Sequence, residues 1–118
     1  MICLTLTPEP AEAIACGDKI VENRSWGLNT DGSFRKGLDG LLGIHRGGKD
    51  GAIIATAIVD TILTPKEALK RFPKQKRHIF GPQCWILTNV RRIKPIPCKG
   101  NQGLWKINLS KKDLKYID

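Results

Sequence analysis

Residues 52–63 read AIIATAIVDTIL. Ile53 and Val59 fall on one parity of a period-two pattern, and Ile54, Ile58 and Ile62 on the other. Neither face of a strand built here suits water, so it must be covered on both sides. The run is also rich in β-branched side chains, which favour extended backbone. It is read as the central, buried strand, and the rest of the chain is arranged around it.

Immediately downstream, TPKE (64–67) sets Thr64 as N-cap, Pro65 at the first helical position and Glu67 three residues after the cap. That is a capping box, and it predicts a helix to about Phe72, ended by Pro73. KQKRHIFGPQ then reads as a basic loop. CWILTNVRRIKPI (84–96) predicts a long strand or a bent pair, and LWKINL (104–109) the last strand. Ser110 and Asp113 suit the cap of a short terminal helix.

Upstream, GLLGIHRG (40–47) is a strand ending in glycines, preceded by a loop over 27–40 rich in Gly, Asp, Asn and Ser. KIVENRSW (19–26) and ICLTLT (2–7) predict two further strands. Between them, Thr7 and Pro8 open a helix, Ala11, Ile14 and Ala15 form its apolar stripe, and Gly17 stops it. No alternation of strand and long helix appears, which argues against a parallel α/β fold. The expectation is one α+β domain over residues 1–118: five to six mostly antiparallel strands closed into a small β-barrel, with two to three short helices.

At 118 residues the chain supports a single core, and 41% apolar content predicts a folded domain rather than a disordered one. No apolar run reaches the length of a membrane span, and MICLTLT lacks the cationic start of a signal peptide, so a cytoplasmic protein is expected. Twenty Lys and Arg against eleven Asp and Glu give a net charge of +9. Such a field favours polyanions, nucleic acid above all. Cys3, Cys16, Cys84 and Cys98 include no CxxC pair, and His45 and His78 add no ligand spacing, so neither a metal site nor a cofactor is expected.

The charged residues that invite a function sit in GDKIVENRSW (17–26). In a strand over 19–26, Ile20, Glu22, Arg24 and Trp26 share one face, and Lys19 points to the other. Glu22 beside Arg24 would orient the guanidinium toward a phosphate or base edge, with Trp26 available for stacking. Lys19 would hold a phosphate by charge or, if desolvated, act as a base or nucleophile. The plain alternative is a solvated ion pair at a strand edge. CKGNQGLW (98–105) is a glycine-spaced loop in which Lys99, Asn101 and Gln102 could seat an anion, though it lacks the P-loop pattern. His45 and Arg46 close a strand, where a lone histidine is usually structural. Lys66, Lys70, Arg71, Lys74, Lys76 and Arg77 make a basic segment suited to tracking a phosphate backbone, or simply a solvated face.

GxKxxExR at Gly17–Arg24, the strand ending in Ile44-His45, and IPxKGxxGLW at Ile96–Trp105 stand in an order that resembles the activating-signal-cointegrator homology (ASCH) domains of the PUA-like superfamily. The resemblance runs to about Leu109. It implies a small barrel with a cleft beside the first helix, formed by the GxKxxExR strand and the IPxKGxxGLW loop, and it brings His45 and Arg46 near that cleft. It implies RNA or nucleotide binding and, in some members, hydrolysis of RNA or of N4-acetylcytidine. For the latter branch, Lys19 matches the lysine of a Lys–Thr–Glu set, but its threonine falls at Glu22. A Pro-Trp-Ala-like turn of many relatives is here Pro8-Glu9-Pro10-Ala11, so its aromatic is missing. Three readings follow: an RNA- or nucleotide-binding module, a small hydrolase with Lys19 and Glu22 in catalytic roles, or a protein-interaction domain. The oligomeric state is left open.

Overall fold

The computed structural model describes residues 1–117. Six strands form one sheet: β1 (Ile2–Leu6), β2 (Val21–Arg24), β3 (Leu41–Arg46), β4 (Ala52–Leu63), β5 (Gln83–Pro97) and β6 (Leu104–Lys106). Their spatial order is β2-β5-β4-β3-β1-β6, and every neighbouring pair is antiparallel except β1 with β3. Two helices, α1 (Pro8–Ala15) and α2 (Pro65–Arg71), and two 3₁₀ turns, Pro73–His78 and Lys111–Asp113, complete it. The basic stretch after Pro73, expected as a loop, is therefore partly helical.

The β4 segment behaves as its composition requires. Ile54 enters a core shared with Leu4, Leu42, Ile44 and the α1 stripe of Ala11, Ile14 and Ala15. Ile53 faces the opposite cluster, with Cys3, Ile93 and Leu114. The far end of the sheet splits in the same way. Trp85 and Leu87 of β5 join the first core, while Cys84 and Ile86 pack with Val21 and Ala68 under α2. Period-two alternation thus feeds cores on both faces.

The α2 signals hold in detail, whereas Thr7 caps α1 by position alone, its side chain making no cap hydrogen bond. Glu67 N–H donates to Thr64 Oγ1 at 3.2 Å, and Thr64 N–H donates to Glu67 Oε1 at 3.1 Å, completing the capping box. Gly17, at φ +90°, ends α1 in the left-handed region that glycine tolerates.

Closure of the barrel does not occur. β2 and β6 are the two edges, each paired with a single strand and only four and three residues long. β5 is one continuous strand rather than a pair. Its register against β4 shifts at three points, and Asn89 adopts φ +50°, so the ladder bends and the sheet curls into an open half-barrel. The strand expected over 19–26 is confined to Val21–Arg24, and LWKINL pairs only through Lys106.

Thr56, buried in the middle of β4, has a hydroxyl with no protein hydrogen-bond partner. An unpaired buried hydroxyl costs on the order of 1–3 kcal/mol. Thr56→Val should therefore raise the unfolding free energy by about 1 kcal/mol in urea titration; a loss of stability would show that the hydroxyl is satisfied.

Candidate functional site

The turn from α1 into β2 decides where the charges go. Lys19 precedes the strand, its N–H donating to Ala13 O at 3.1 Å, so strand alternation does not govern it. Lys19 Nζ reaches back to Glu22 Oε1 at 2.9 Å, and Arg24 Nε donates to Glu22 Oε2 at 2.9 Å. Lys19 and Glu22 were expected on opposite faces, and they meet instead. Glu22 is 5% exposed and Lys19 9%, so this pair is desolvated and not a solvated edge, with Arg24 part-buried beside it. Two cations share one carboxylate, leaving a net charge of +1 by simple count.

Lys19 lines a cleft of about 710 Å³ between the start of α1 and the loop that follows the first 3₁₀ turn. Thr7, Pro8, Glu9, Pro10 and Ala13 form one wall, and Asn23, His78 and Phe80 the other. Glu22 lies behind Lys19 and does not line it. The loop wall is tied down by amides. Asn23 Nδ2 donates to His78 O at 2.8 Å, and Asn23 Oδ1 accepts from the N–H groups of Phe80 and Gly81, both at 2.8 Å. Gln75 clamps the neighbouring turn, accepting from Ile20 N–H at 2.9 Å and donating to Asp18 O at 3.0 Å.

His78 Nε2 accepts from Arg77 Nε at 3.1 Å, which requires the neutral ring. Desolvation, aided by the nearby charges of Arg77 and Lys19, holds its pKa below the ordinary histidine value; Asp18 opposes the shift. Phe80 is 74% exposed at the cleft mouth. An aromatic set inside the basic stretch KQKRHIFGPQ is the sequence signal for it. Trp26 lies apart from the cleft lining. It is half-buried, with its ring edge-on to Trp85 at 5.1 Å and Arg35 stacked 4.6 Å from its centroid.

The glycine-spaced loop lines a different cleft, of about 650 Å³, which separates Lys99, Asn101 and Gln102 from Lys19. Its opposite wall is the β3–β4 turn with Gly47, Gly48 and Lys49, and its floor is Thr5 and His45. His45 is 1% exposed and fully bonded. Its Nε2 must donate to Cys98 O at 2.8 Å, so Nδ1 accepts from Thr5 Oγ1 at 3.1 Å, and Thr5 Oγ1 accepts from Trp105 Nε1 at 2.9 Å. Gly100 lies on this chain: a Cβ there would fall 2.4 Å from Thr5 Oγ1 and 2.6 Å from the His45 ring. The loop's missing side chain thus serves packing.

Arg46 lies in a shallow groove with Pro8, Gly47, Lys49 and Asp50, which shares wall residues with both clefts. It donates to Glu12 Oε1 at 2.9 Å and to Asp50 O at 3.1 Å, and Arg92 holds the other Glu12 oxygen at 3.0 Å. These bonds, led by that to Arg46, hold the Glu12 carboxyl below the usual range. Lys70 and Arg71 occupy the last turn of α2, and Lys74, Lys76 and Arg77 the following 3₁₀ turn, all exposed. Three of the thiols are deactivated by burial, which pushes Cys3 up to about 11 and raises Cys84 and Cys98.

No family model and no curated protein sequence matches the chain. Solved structures do. The crystal structure of ASCH from Zymomonas mobilis aligns with 95% of this chain and 89% of its own at TM-score 0.65 and 20% identity. Two point mutants of that protein align over 95% of this chain at TM-score 0.63 and 21% identity. The chain thus has the ASCH fold, as the motif order implied.

The shared carboxylate makes the triad asymmetric. Glu22→Ala leaves the buried Lys19 ammonium unpaired beside part-buried Arg24 and should cost about 3–5 kcal/mol. Lys19→Ala leaves Glu22 paired with Arg24 and should cost about 1–2 kcal/mol. Equal losses in chemical denaturation would show that Arg24 does not hold the carboxylate on its own.

Proposed function

We propose that this domain binds single-stranded RNA or a nucleotide, with a base and its phosphate seated in the cleft beside α1. One observation carries the reading: an exposed aromatic ring, Phe80, and a desolvated ammonium, Lys19, line the same cleft. A base has a π face for the ring, and a phosphate has charge for the ammonium. Glu22 takes one of the three Lys19 N–H donors, leaving two for a ligand. Asn23 uses its side chain to set the loop and serves as a positioning residue. Phe80 supplies from the loop wall the aromatic that the Pro8–Ala11 turn lacks.

The surrounding charge supports the same reading. The exposed Lys70, Arg71, Lys74, Lys76 and Arg77 continue the wall that carries His78 and Phe80, and would draw a phosphate backbone toward the cleft. No helix is long and apolar enough to cross a membrane among the described residues.

Holding fits the geometry better than cutting. Both Glu22 oxygens are engaged at 2.9 Å, so a general base there would first have to release a cation. A hydrolase acting on RNA or a modified nucleoside is the second reading, favoured by the desolvation of Lys19 at the cleft wall.

Uridine 5′-monophosphate and an eight-nucleotide single-stranded RNA should both bind, measured by calorimetry and fluorescence anisotropy. Phe80→Ala should weaken both at least about fivefold, the lower bound of base stacking on an aromatic. Lys19→Ala should weaken both while the fold persists. Unchanged affinities in the two variants would sink the reading, and product formation lost in Lys19→Ala would replace it with the hydrolase.

The cleft should also respond to pH. The His78 pKa is held below the ordinary histidine value by desolvation, so the ring gains its charge only in more acid solution than an ordinary histidine. Anion affinity should then rise as pH falls through that lowered value. His78→Asn should flatten the rise; an unaltered profile would assign the proton elsewhere.

A further inference from the structure

The cleft over His45 has the chemistry of an anion site, and the function proposed above makes no use of it. None of its lining residues is acidic. Lys49 and Lys99 enter it from facing loops and have no ion-pair partner among the described residues. Among the described residues, the N–H groups of Gly48, Lys49, Lys99 and Gly100 donate to no other backbone group. Asn101 and Gln102 add two side-chain amides at the same rim that have no partner among the described residues. The floor, by contrast, is saturated, because the Trp105–Thr5–His45–Cys98 chain uses every donor it has. Such a site offers charge and N–H donors, with no group placed to react.

Its position relative to the α1 cleft is the second observation. The groove holding Arg46 shares Pro8 with the α1 cleft and Gly47 and Lys49 with the glycine-loop cleft. The three hollows therefore adjoin one another, in order from Phe80 and Lys19, past Pro8, to Lys49 and Lys99. Two carboxylates border this path, Glu9 at the α1 cleft and Asp50 at the groove, and neither lines the glycine-loop cleft; Glu12, under the groove arginine, has both oxygens on Arg46 and Arg92.

We infer that the glycine-loop cleft binds a backbone phosphate of the same RNA strand whose base occupies the α1 cleft. The ligand is then an oligonucleotide and not a free nucleotide. The inference rests on the proposed binding function for the base end and stands on its own residues at the phosphate end. Lys49 and Lys99 supply the charge, and the loop N–H groups set the phosphate position. Neither lysine reads sequence.

The test compares uridine 5′-monophosphate with the eight-nucleotide RNA on the full chain. Each is titrated from low to moderate salt against wild type, Lys49→Ala/Lys99→Ala, Phe80→Ala and Lys111→Ala/Lys115→Ala. The last variant removes two charges from the C-terminal segment, beyond the cleft, and reports the general effect of net charge. Wild type should bind the octamer more tightly than the monophosphate. Lys49→Ala/Lys99→Ala should weaken the octamer about tenfold or more and reduce its salt slope by roughly 0.7, one single-strand phosphate contact. It should leave the monophosphate unchanged. If Lys111→Ala/Lys115→Ala weakens the octamer as much, the cleft is not special and the inference falls. If Phe80→Ala weakens the octamer but Lys49→Ala/Lys99→Ala does not, the second site is refuted and the α1 cleft survives. If only the lysine pair matters, an anion site exists but the shared strand is refuted, together with the base-binding reading. Thermal melts of each variant confirm that the fold is intact.

Discussion

The need to cover β4 on both faces organises this molecule. A twelve-residue strand with large apolar groups on each parity cannot border water, so it takes β3 and β5 as lateral neighbours and packing layers above and below. α1 lies in the core on one side, and the C-terminal segment around Leu114 covers the other. α2 follows β4 directly and closes the third cluster over Val21 and Ile86. The clefts are consequences. They open where these covering elements stop and the polar turns between strands begin.

Charge in this domain is organised by sharing. Glu22 serves Lys19 and Arg24, and Glu12 serves Arg46 and Arg92. In each case one acid restrains two bases and leaves an excess of positive charge beside a cleft or groove. A chain with +9 formal charge has too few acids to neutralise its bases singly. Placing two acids between paired cations fixes four long side chains while the surface stays attractive to anions.

Much of the fold was legible because its signals are local. The two-faced β4, the Thr64–Glu67 capping box and the Thr7-Pro8 helix start each depend on neighbours in sequence, and each is present. Closure was not legible, since it depends on whether two distant short edges meet. The meeting of Lys19 with Glu22 was missed because it hangs on where β2 begins, a boundary set by the Gln75 clamp from fifty-five residues away. The site was legible only in pieces. Lys19 and Lys99 were both singled out, but their separation into two clefts follows from the fold, and Phe80 became visible only once the loop around it was fixed by Asn23.

That Asn23 bracket has a consequence for how a ligand would be received. Phe80 stands on a loop whose backbone is held at His78, Phe80 and Gly81 by one side chain rooted in β2. The ring is exposed, yet its support is set in advance. Ordering a loose loop around a guest consumes interaction energy that then never reaches the affinity. A bracketed loop avoids that loss, so an aromatic at the edge of a small domain can act as a rigid shelf, and the adaptation on binding falls to the flexible strand.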